Sequence, residues 1–404
     1  MDVAIVGAGF AGLAAARVLA ERGIAVELFE ASERVGGRAR TIHDDGTSLP
    51  VELGPEFVHG CPEVTLALAR EAGAELEEVV DRHHVQRGGR LVDAGDMWSR
   101  FGAMLEAANE RVRRSAPDES AREYLERTGL TGEDAKLFAM FVEGFYAAPL
   151  DDISIASVAV DAGLVRWLAE RLIHHQVAVH YGCFVRRIDW GSDRVQLDYG
   201  SGSASAACAI ITLPIGVLQS GEVEFRPALG DHRAAMSRLA MGQVVKLVLC
   251  LREPLWRDLA FVHGDGTAFP TFWIRSADGA QQITAWAGGP HARALSGFAA
   301  DQLAERAIDE LAGLTGVPAS RLAEAVRHHH FHDHHAYPYA RGAYSYTRVH
   351  GGGAAAVLAR PLGERLFFAG EATDADYEGS VAGALASGVR AAHQVLRQLG
   401  RSGA

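Results

Sequence analysis

The chain has 404 residues, 48% hydrophobic and 22% charged, close to a soluble globular average and apolar enough to offset the entropy of ordering. At about 150 residues per domain the length predicts two or three domains. With 45 glycines in no three-residue period and 4 cysteines, the chain is neither collagen-like nor a disulfide scaffold. Its 39 Lys and Arg against 51 Asp and Glu leave a net charge of −12, which argues against nucleic acid or a membrane surface as partner and mildly favours cationic ligands.

Val3 to Val6 reads as a short apolar strand, followed by Gly7-Ala8-Gly9-Phe10-Ala11-Gly12 and an Ala/Leu-rich helix to about Arg22. Gly23 stands where a helix C-cap would, and Ala25–Phe29 gives a second strand ending at Glu30. This β-α-β unit supplies the context in which a GxGxxG becomes a dinucleotide signal. Gly7 permits the tight turn, Gly9 lets the backbone approach a pyrophosphate, and Gly12 lets helix and strand pack closely. Phosphate oxygens then meet unpaired N–H groups and the positive end of the helix dipole. Glu30 is placed to accept both ribose hydroxyls of an adenosine. The next residues, Ala31 to Arg38, carry Gly36 and Gly37 between arginines. They predict a second backbone approach to the same pyrophosphate, with Arg38 adding charge-assisted contacts; nicotinamide enzymes do not need that second loop.

From Pro62 to about Ala148 the spacing is helical, with Met97–Val112 as one element and another after Thr131, where Thr131 and Asp134 resemble a capping box. Strands are predicted at Val177–Tyr181, Val185–Ile188, Ala209–Leu213 and Gly242–Leu251, and helices at Ser296–Leu314 and Val381–Leu399. Without internal repeats or linkers, the domains are expected to interleave. Cys61, Cys183, Cys208 and Cys250 form no CxxC pair and are expected to be buried free thiols in a reducing compartment. No basic leader precedes the first strand and no run of eighteen apolar residues occurs, so the expected location is cytoplasmic, without a membrane span.

Two features stand out chemically. Only Lys136 and Lys246 are lysines, and Lys246 interrupts the apolar run Val244 to Leu249. A buried ammonium is costly without a partner, so a function is expected there. His328, His329, His330, His332, His334 and His335 crowd nine residues. Strand alternation would put His328, His330, His332 and His334 on one face. Such tracts often chelate adventitiously, and no functional metal is expected.

The motifs GAGFAGL…FEASERVGGR, VELGPEFVHG (51–60), AIITLPIGVL (209–218), GQVVK (242–246), GAYS (342–345), LFFAGEAT (366–373) and EGSVAGA (378–384) together resemble the flavin-containing amine oxidase family, which includes monoamine and polyamine oxidases and histone-demethylase relatives. The resemblance spans essentially the whole chain, with 62–150 matched only by position and character. It implies an α/β flavoprotein in which a Rossmann-like FAD-binding domain (1–61, 165–222, 340–404) interleaves with a substrate-binding domain of mixed sheet plus helices (62–164, 223–339). It also implies FAD-dependent oxidation of a small-molecule amine: a hydride passes from the carbon beside nitrogen to flavin N5, and O₂ as acceptor yields an imine and hydrogen peroxide.

The same resemblance places Glu371, after Gly370, on the ribityl–pyrophosphate arm, Val185 beside adenine, and Gly54, Pro55, Glu56 and Phe57 along the isoalloxazine. The helix starting at Ser380 and Val381 would point its N-terminus at the ring, where reduction builds negative charge. Lys246 matches the lysine that holds a water at flavin N5, and Tyr344 the aromatic wall beside the substrate nitrogen. Ser380 stands where many relatives have a second aromatic, leaving room for a wider cavity. Tyr377 and Trp273 offer replacement aromatic surface or core packing. His59 resembles the cavity-rim histidine of animal-type polyamine oxidases, or is a surface-loop residue. Ala343 stands where monoamine oxidases carry the flavin-linked cysteine, which implies non-covalent FAD. His334 stands where relatives have a tryptophan. A desaturase or porphyrinogen-type oxidase shares the terminal motifs, but GQVVK and GAYS favour the amine branch. An L-amino-acid oxidase would need an arginine for the carboxylate. An inert FAD-binding protein is the remaining alternative, against which Lys246 and Tyr344 count.

Overall fold

A computed structural model describes residues 1–43, 49–60, 62–74, 76–113, 117–158, 164–166, 177–200 and 202–400. The amino-terminal strand Val3–Val6 is the centre of a five-stranded parallel sheet in the order Ala178–His180, Val26–Phe29, Val3–Val6, Cys208–Ile211, Leu366–Phe368. Its strands are near-continuous apolar runs because both faces are covered, as in other parallel sheets. Helices Phe10–Glu21 and Val381–Gln398 pack on one face. They cross so closely that a Cβ on Gly388 would lie 2.2 Å from the Ala11 carbonyl oxygen. A four-stranded sheet (Gly202–Ala206, Val195–Tyr199, Val185–Asp189, Glu224–Arg226) contributes Val185, Ile188, Val195 and Leu197 to the core on the other face.

The second large sheet has seven strands, in the order Val326–Asp333, Val244–Leu251, Ala280–Gly288, Thr271–Ala277, Phe261–His263, His83–Arg87, Arg90–Asp93. Period-two alternation divides the strand Val244–Leu251 between two environments. Val245, Leu247, Leu249 and Leu251 pack with Leu303, Ala307 and Leu311 of helix Ala300–Thr315. Val248 and Cys250 face Val51 and Leu53, and Lys246 shares their face. Helices Met97–Arg113, Ala121–Thr128 and Gly132–Phe145 form a separate apolar cluster around Phe101, Phe138 and Phe141.

The expected elements appear with shifted ends. The helix predicted from Ser296 starts at Ala300, after Gly297 turns at φ +85°. The expected capping box at Thr131 does not form. Thr131 makes no side-chain cap bond, because Gly132 at φ +61° takes the first turn out of the geometry such a box needs. The box forms instead at Ser120 and Glu123, with Ser120 Oγ accepting the Glu123 N–H at 3.1 Å and Glu123 Oε2 accepting the Ser120 N–H at 2.8 Å. Cys183, Cys208 and Cys250 are buried free thiols, burial pushing Cys208 up to about 12; Cys61 lies outside the described residues. Among the described residues no helix is long and apolar enough to cross a membrane.

Candidate active site

The glycines of the first loop have distinct geometric reasons. Gly7 adopts φ +105°, and a Cβ there would lie 2.5 Å from Thr212 Oγ1. A Cβ on Gly12 would lie 2.1 Å from the Gly7 carbonyl oxygen, so helix and strand touch backbone to backbone. Gly9 caps the helix Phe10–Glu21 without any side-chain cap bond, leaving its first N–H groups open to an anion. The second loop lies directly against it: the Gly36 N–H donates to the Ala8 carbonyl at 2.8 Å, and a Cβ on Gly37 would sit 3.3 Å from Gly9 Cα.

Glu30 is buried and ties these loops together, accepting from the Ala8 N–H (2.8 Å), the Ser32 N–H (2.9 Å) and the Ser32 hydroxyl (2.7 Å). Arg34, named from the sequence only as a flanking charge, donates to the carbonyls of Val35, Gly37 and Ala39. Its planar fork suits three converging carbonyls, and burial lowers its pKa. Arg38 donates to Glu371 Oε1 at 2.7 Å and to the Ala343 carbonyl at 2.9 Å. Glu371 Oε2 accepts in turn from the Ser345 hydroxyl (2.5 Å) and the Gly379 N–H (3.1 Å). One carboxylate therefore joins the second glycine loop, the GAYS segment and the turn before the last helix. That helix begins at Val381. Ser380 is its N-cap, accepting from the Gly383 N–H at 3.1 Å and donating to the Tyr377 carbonyl at 2.7 Å.

Lys246 is 1% exposed. Its Nζ donates to Glu56 Oε2 at 2.8 Å and to the Gly54 carbonyl at 3.2 Å, and lies 5.4 Å from the centre of the Trp273 ring. Trp273 Nε1–H donates to the same Glu56 oxygen at 3.1 Å. The partner demanded by a buried ammonium is thus Glu56, a residue expected only to run along the flavin. His334 donates Nε2–H to the Leu53 carbonyl at 3.0 Å, which fixes its tautomer. Its Nδ1 is buried with no partner among the described residues. Burial, reinforced by His332, lowers its pKa to about 3. Tyr344 is half-buried, with its hydroxyl donating to the Phe145 carbonyl at 2.6 Å.

Most of these groups border one cavity of about 1120 Å³, just above the usual range for small-molecule sites. Gly7, Gly9, Glu30, Arg38, Gly54, Pro55, Glu56, Phe57, Val185, Gly370, Glu371, Ser380 and Val381 line it, as do Lys246, Tyr344, His59, Trp273 and Tyr377. Of the candidate cofactor, catalytic and substrate residues only Gly12 does not, since it sits behind the cradle. His59 packs edge-on against Phe145, with ring centres 4.7 Å apart, and burial lowers its pKa to about 4. Tyr377 is 43% exposed, at the cavity's outer edge. In the histidine tract, His328, His330 and His332 oppose Cys250, Val248 and Lys246. Among the described residues no three His, Cys, Asp or Glu form a metal-binding group.

Sequence reasoning missed Glu378. It lines the cavity, its two oxygens 2.9 and 3.0 Å from the Thr347 hydroxyl that donates to them. Burial first, with the charge of Glu371 adding, raises its pKa to about 7. Tyr146 beside it has a buried hydroxyl with no partner among the described residues. Both belong to segments read only for helix spacing or for motif glycines.

A glycine cradle open to phosphate, continuous with a wall holding a buried lysine and an ordered tyrosine, is the layout of a flavin-using oxidoreductase of amines. The chain belongs to the flavin containing amine oxidoreductase family, whose pattern matches residues 10–396. It is 30% identical to lysine-specific histone demethylase 1 homolog 2 of Oryza sativa subsp. japonica over 98% of this chain and 57% of that protein, and so spans little more than half of that relative. It is 28% identical to polyamine oxidase 1 of the same species, over 98% of this chain and 97% of that one. Cyclohexylamine oxidase from Brevibacterium oxydans IH-35A shares the fold with a TM-score of 0.84 at 20% identity, covering 99% of both chains.

Proposed function

We propose that this chain is an FAD-dependent amine oxidase that holds FAD without a covalent bond and oxidises an elongated, polyamine-type amine in the cytoplasm. The observation that carries this reading is the continuity of one cavity from the cradle of Gly7, Gly9 and Gly37 to Lys246 and Tyr344. The cradle fits a pyrophosphate because the Cβ atoms that would fill it are missing, and Ala343 offers no thiol for a flavin link. FAD held there would supply the hydride acceptor, and O₂ would take the electrons onward as hydrogen peroxide, leaving an imine that hydrolyses to aldehyde.

The protein's own groups position and polarise. Lys246 spends two of its three donors on Glu56 and Gly54, keeping one for a water in the cavity. The hydroxyl bond to Phe145 fixes the Tyr344 ring as a wall for the substrate nitrogen. The helix Val381–Gln398 brings its positive end to the cavity through Ser380 and Val381, where it stabilises negative charge. Serine at 380 leaves the second wall open, which suits a long substrate. In this proposal residues 1–61, 165–222 and 340–404 bind FAD, and 62–164 and 223–339 bind the substrate. Three buried free thiols support a reducing compartment.

Purified protein is expected to be yellow, to release its flavin on denaturation, and to bleach under argon when a diamine is added. Peroxide should form on admitting air. A colourless protein that cannot be reconstituted with FAD, or a flavin that no amine bleaches, overturns the reading.

A further inference from the structure

The cavity floor follows a single register line. Lys246 opposes Trp286, Trp286 opposes Thr271, and Thr271 opposes His263, on four neighbouring strands of the seven-stranded sheet. Directly opposed residues project from the same face. Three strand spacings separate Lys246 from His263, about 14 Å. All four residues line the cavity. Between the two ends the floor is aromatic, with Trp273 and Trp286 5.6 Å apart and Trp273 packed on Phe57 at 5.4 Å.

At the far end the surface turns polar. His263 Nδ1 lies 3.2 Å from Thr271 Oγ1, His263 Nε2 lies 2.8 Å from His83 Nδ1, and His83 Nε2 lies 2.7 Å from Asp81 Oδ1. The two imidazoles are near-coplanar at 7°, with centres 5.1 Å apart. They are 5% and 6% exposed, whereas Asp81 is open to solvent. Burial lowers both pKa values, that of His263 to about 3, with His84 lowering each further while Asp81 and Asp93 raise that of His83. The pair is therefore neutral, and the direction of its hydrogen bonds depends on tautomer. An ionised Asp81 keeps the proton on His83 Nε2. His83 Nδ1 then accepts from His263 Nε2–H, and His263 Nδ1 accepts from the Thr271 hydroxyl. The cavity end becomes an acceptor. Trp98 Nε1, 2.6 Å from the same His83 Nε2, competes for that nitrogen and supports the opposite order. The charge-assisted bond to the carboxylate is the stronger of the two and sets the direction.

We propose that Thr271 and His263, backed by His83 and Asp81, form a distal subsite that accepts N–H groups from the second amine of an elongated diamine whose first amine sits near Lys246. The subsite selects diamines over monoamines of equal chain length. This rests on the amine-oxidase reading for the reacting end, while the distal contact is independent of the chemistry there.

The test uses FAD-loaded full-length protein, 1,10-diaminodecane and decylamine, with Thr271→Val and His263→Phe variants. In the unaltered protein the ratio of kcat/KM for diamine over monoamine should exceed unity. In each variant that ratio should fall about tenfold, through KM rather than kcat, the size of one lost charged hydrogen bond. A ratio near one in the unaltered protein, or an equal loss for both amines in the variants, overturns the subsite. Calorimetric titration of 1,10-diaminodecane into dithionite-reduced protein under argon reads binding without turnover. Binding weakened by Thr271→Val alongside no amine oxidation would keep the subsite and sink the oxidase reading. No binding would sink the subsite whatever the activity.

Discussion

Lys246 Nζ and Glu56 Oε2 are 2.8 Å apart, on side chains only 2% and 8% exposed. Each ion is the other's main compensation for lost water, and the Trp273 N–H is a second donor to the same carboxylate oxygen. Removing one partner of a buried pair costs about 3–5 kcal/mol because the other is left uncompensated. Glu56→Gln and Lys246→Met should each lower stability by that order in urea denaturation. The double variant should recover much of the loss. Independent, additive losses would show that the pair is not coupled. Lys246→Met should also slow turnover at least tenfold.

Glu378 makes stability depend on pH. Its carboxyl is raised from 4.5 to about 7 by burial and by Glu371, so the native state holds this proton more tightly than the unfolded chain. The sign follows from linkage. The favourable contribution is greatest below pH 4.5 and is lost as pH rises through 7, where the native state must carry a buried carboxylate. Glu378→Gln should flatten this part of the profile, so that melting temperatures at pH 5 and pH 8 differ less than in the unaltered protein. An unchanged difference would remove Glu378 as its source.

A methyl group at residue 12 has nowhere to go, because its Cβ would lie 2.1 Å from the Gly7 carbonyl oxygen. Gly12→Ala should force the helix away from the strand, at about 1–3 kcal/mol, and spoil the cradle. The expected result is protein with a lower melting temperature and much less flavin absorbance per chain. Full flavin loading would contradict the packing.

The amine must react as the free base, since only a neutral nitrogen has electrons to donate. His59, held near 4 by burial, is already neutral above pH 6. The rise of kcat/KM with pH should therefore persist in His59→Gln and shift with the pKa of the amine supplied. A rise that follows the protein instead, identical for amines of different basicity, would assign it to an enzyme group.

Much of this was legible in the sequence because it rests on local rules. Glycine spacing specified the cradle, apolar runs specified the parallel strands, and one lysine in an arginine-rich chain marked the wall of the cavity. The rest depends on pairings across distance. Lys246 meets Glu56 across 190 positions and His83 meets His263 across 180, and no local pattern announces either pairing. Thr131 failed for the opposite reason. Its spacing suited a capping box, but the backbone of Gly132 decided otherwise.

The contact between Arg38 and Glu371 spans 333 positions, and the edge strand Leu366–Phe368 joins the same sheet as Val3–Val6. The strand Cys208–Ile211 and the guanidinium of Arg38 must therefore both wait for residues 366–371 to be synthesised. Until then Cys208–Ile211 carries an unfinished sheet edge, the condition in which large proteins lean on chaperones. Losing the last few dozen residues would strip away an edge strand and an anchoring carboxylate in one stroke.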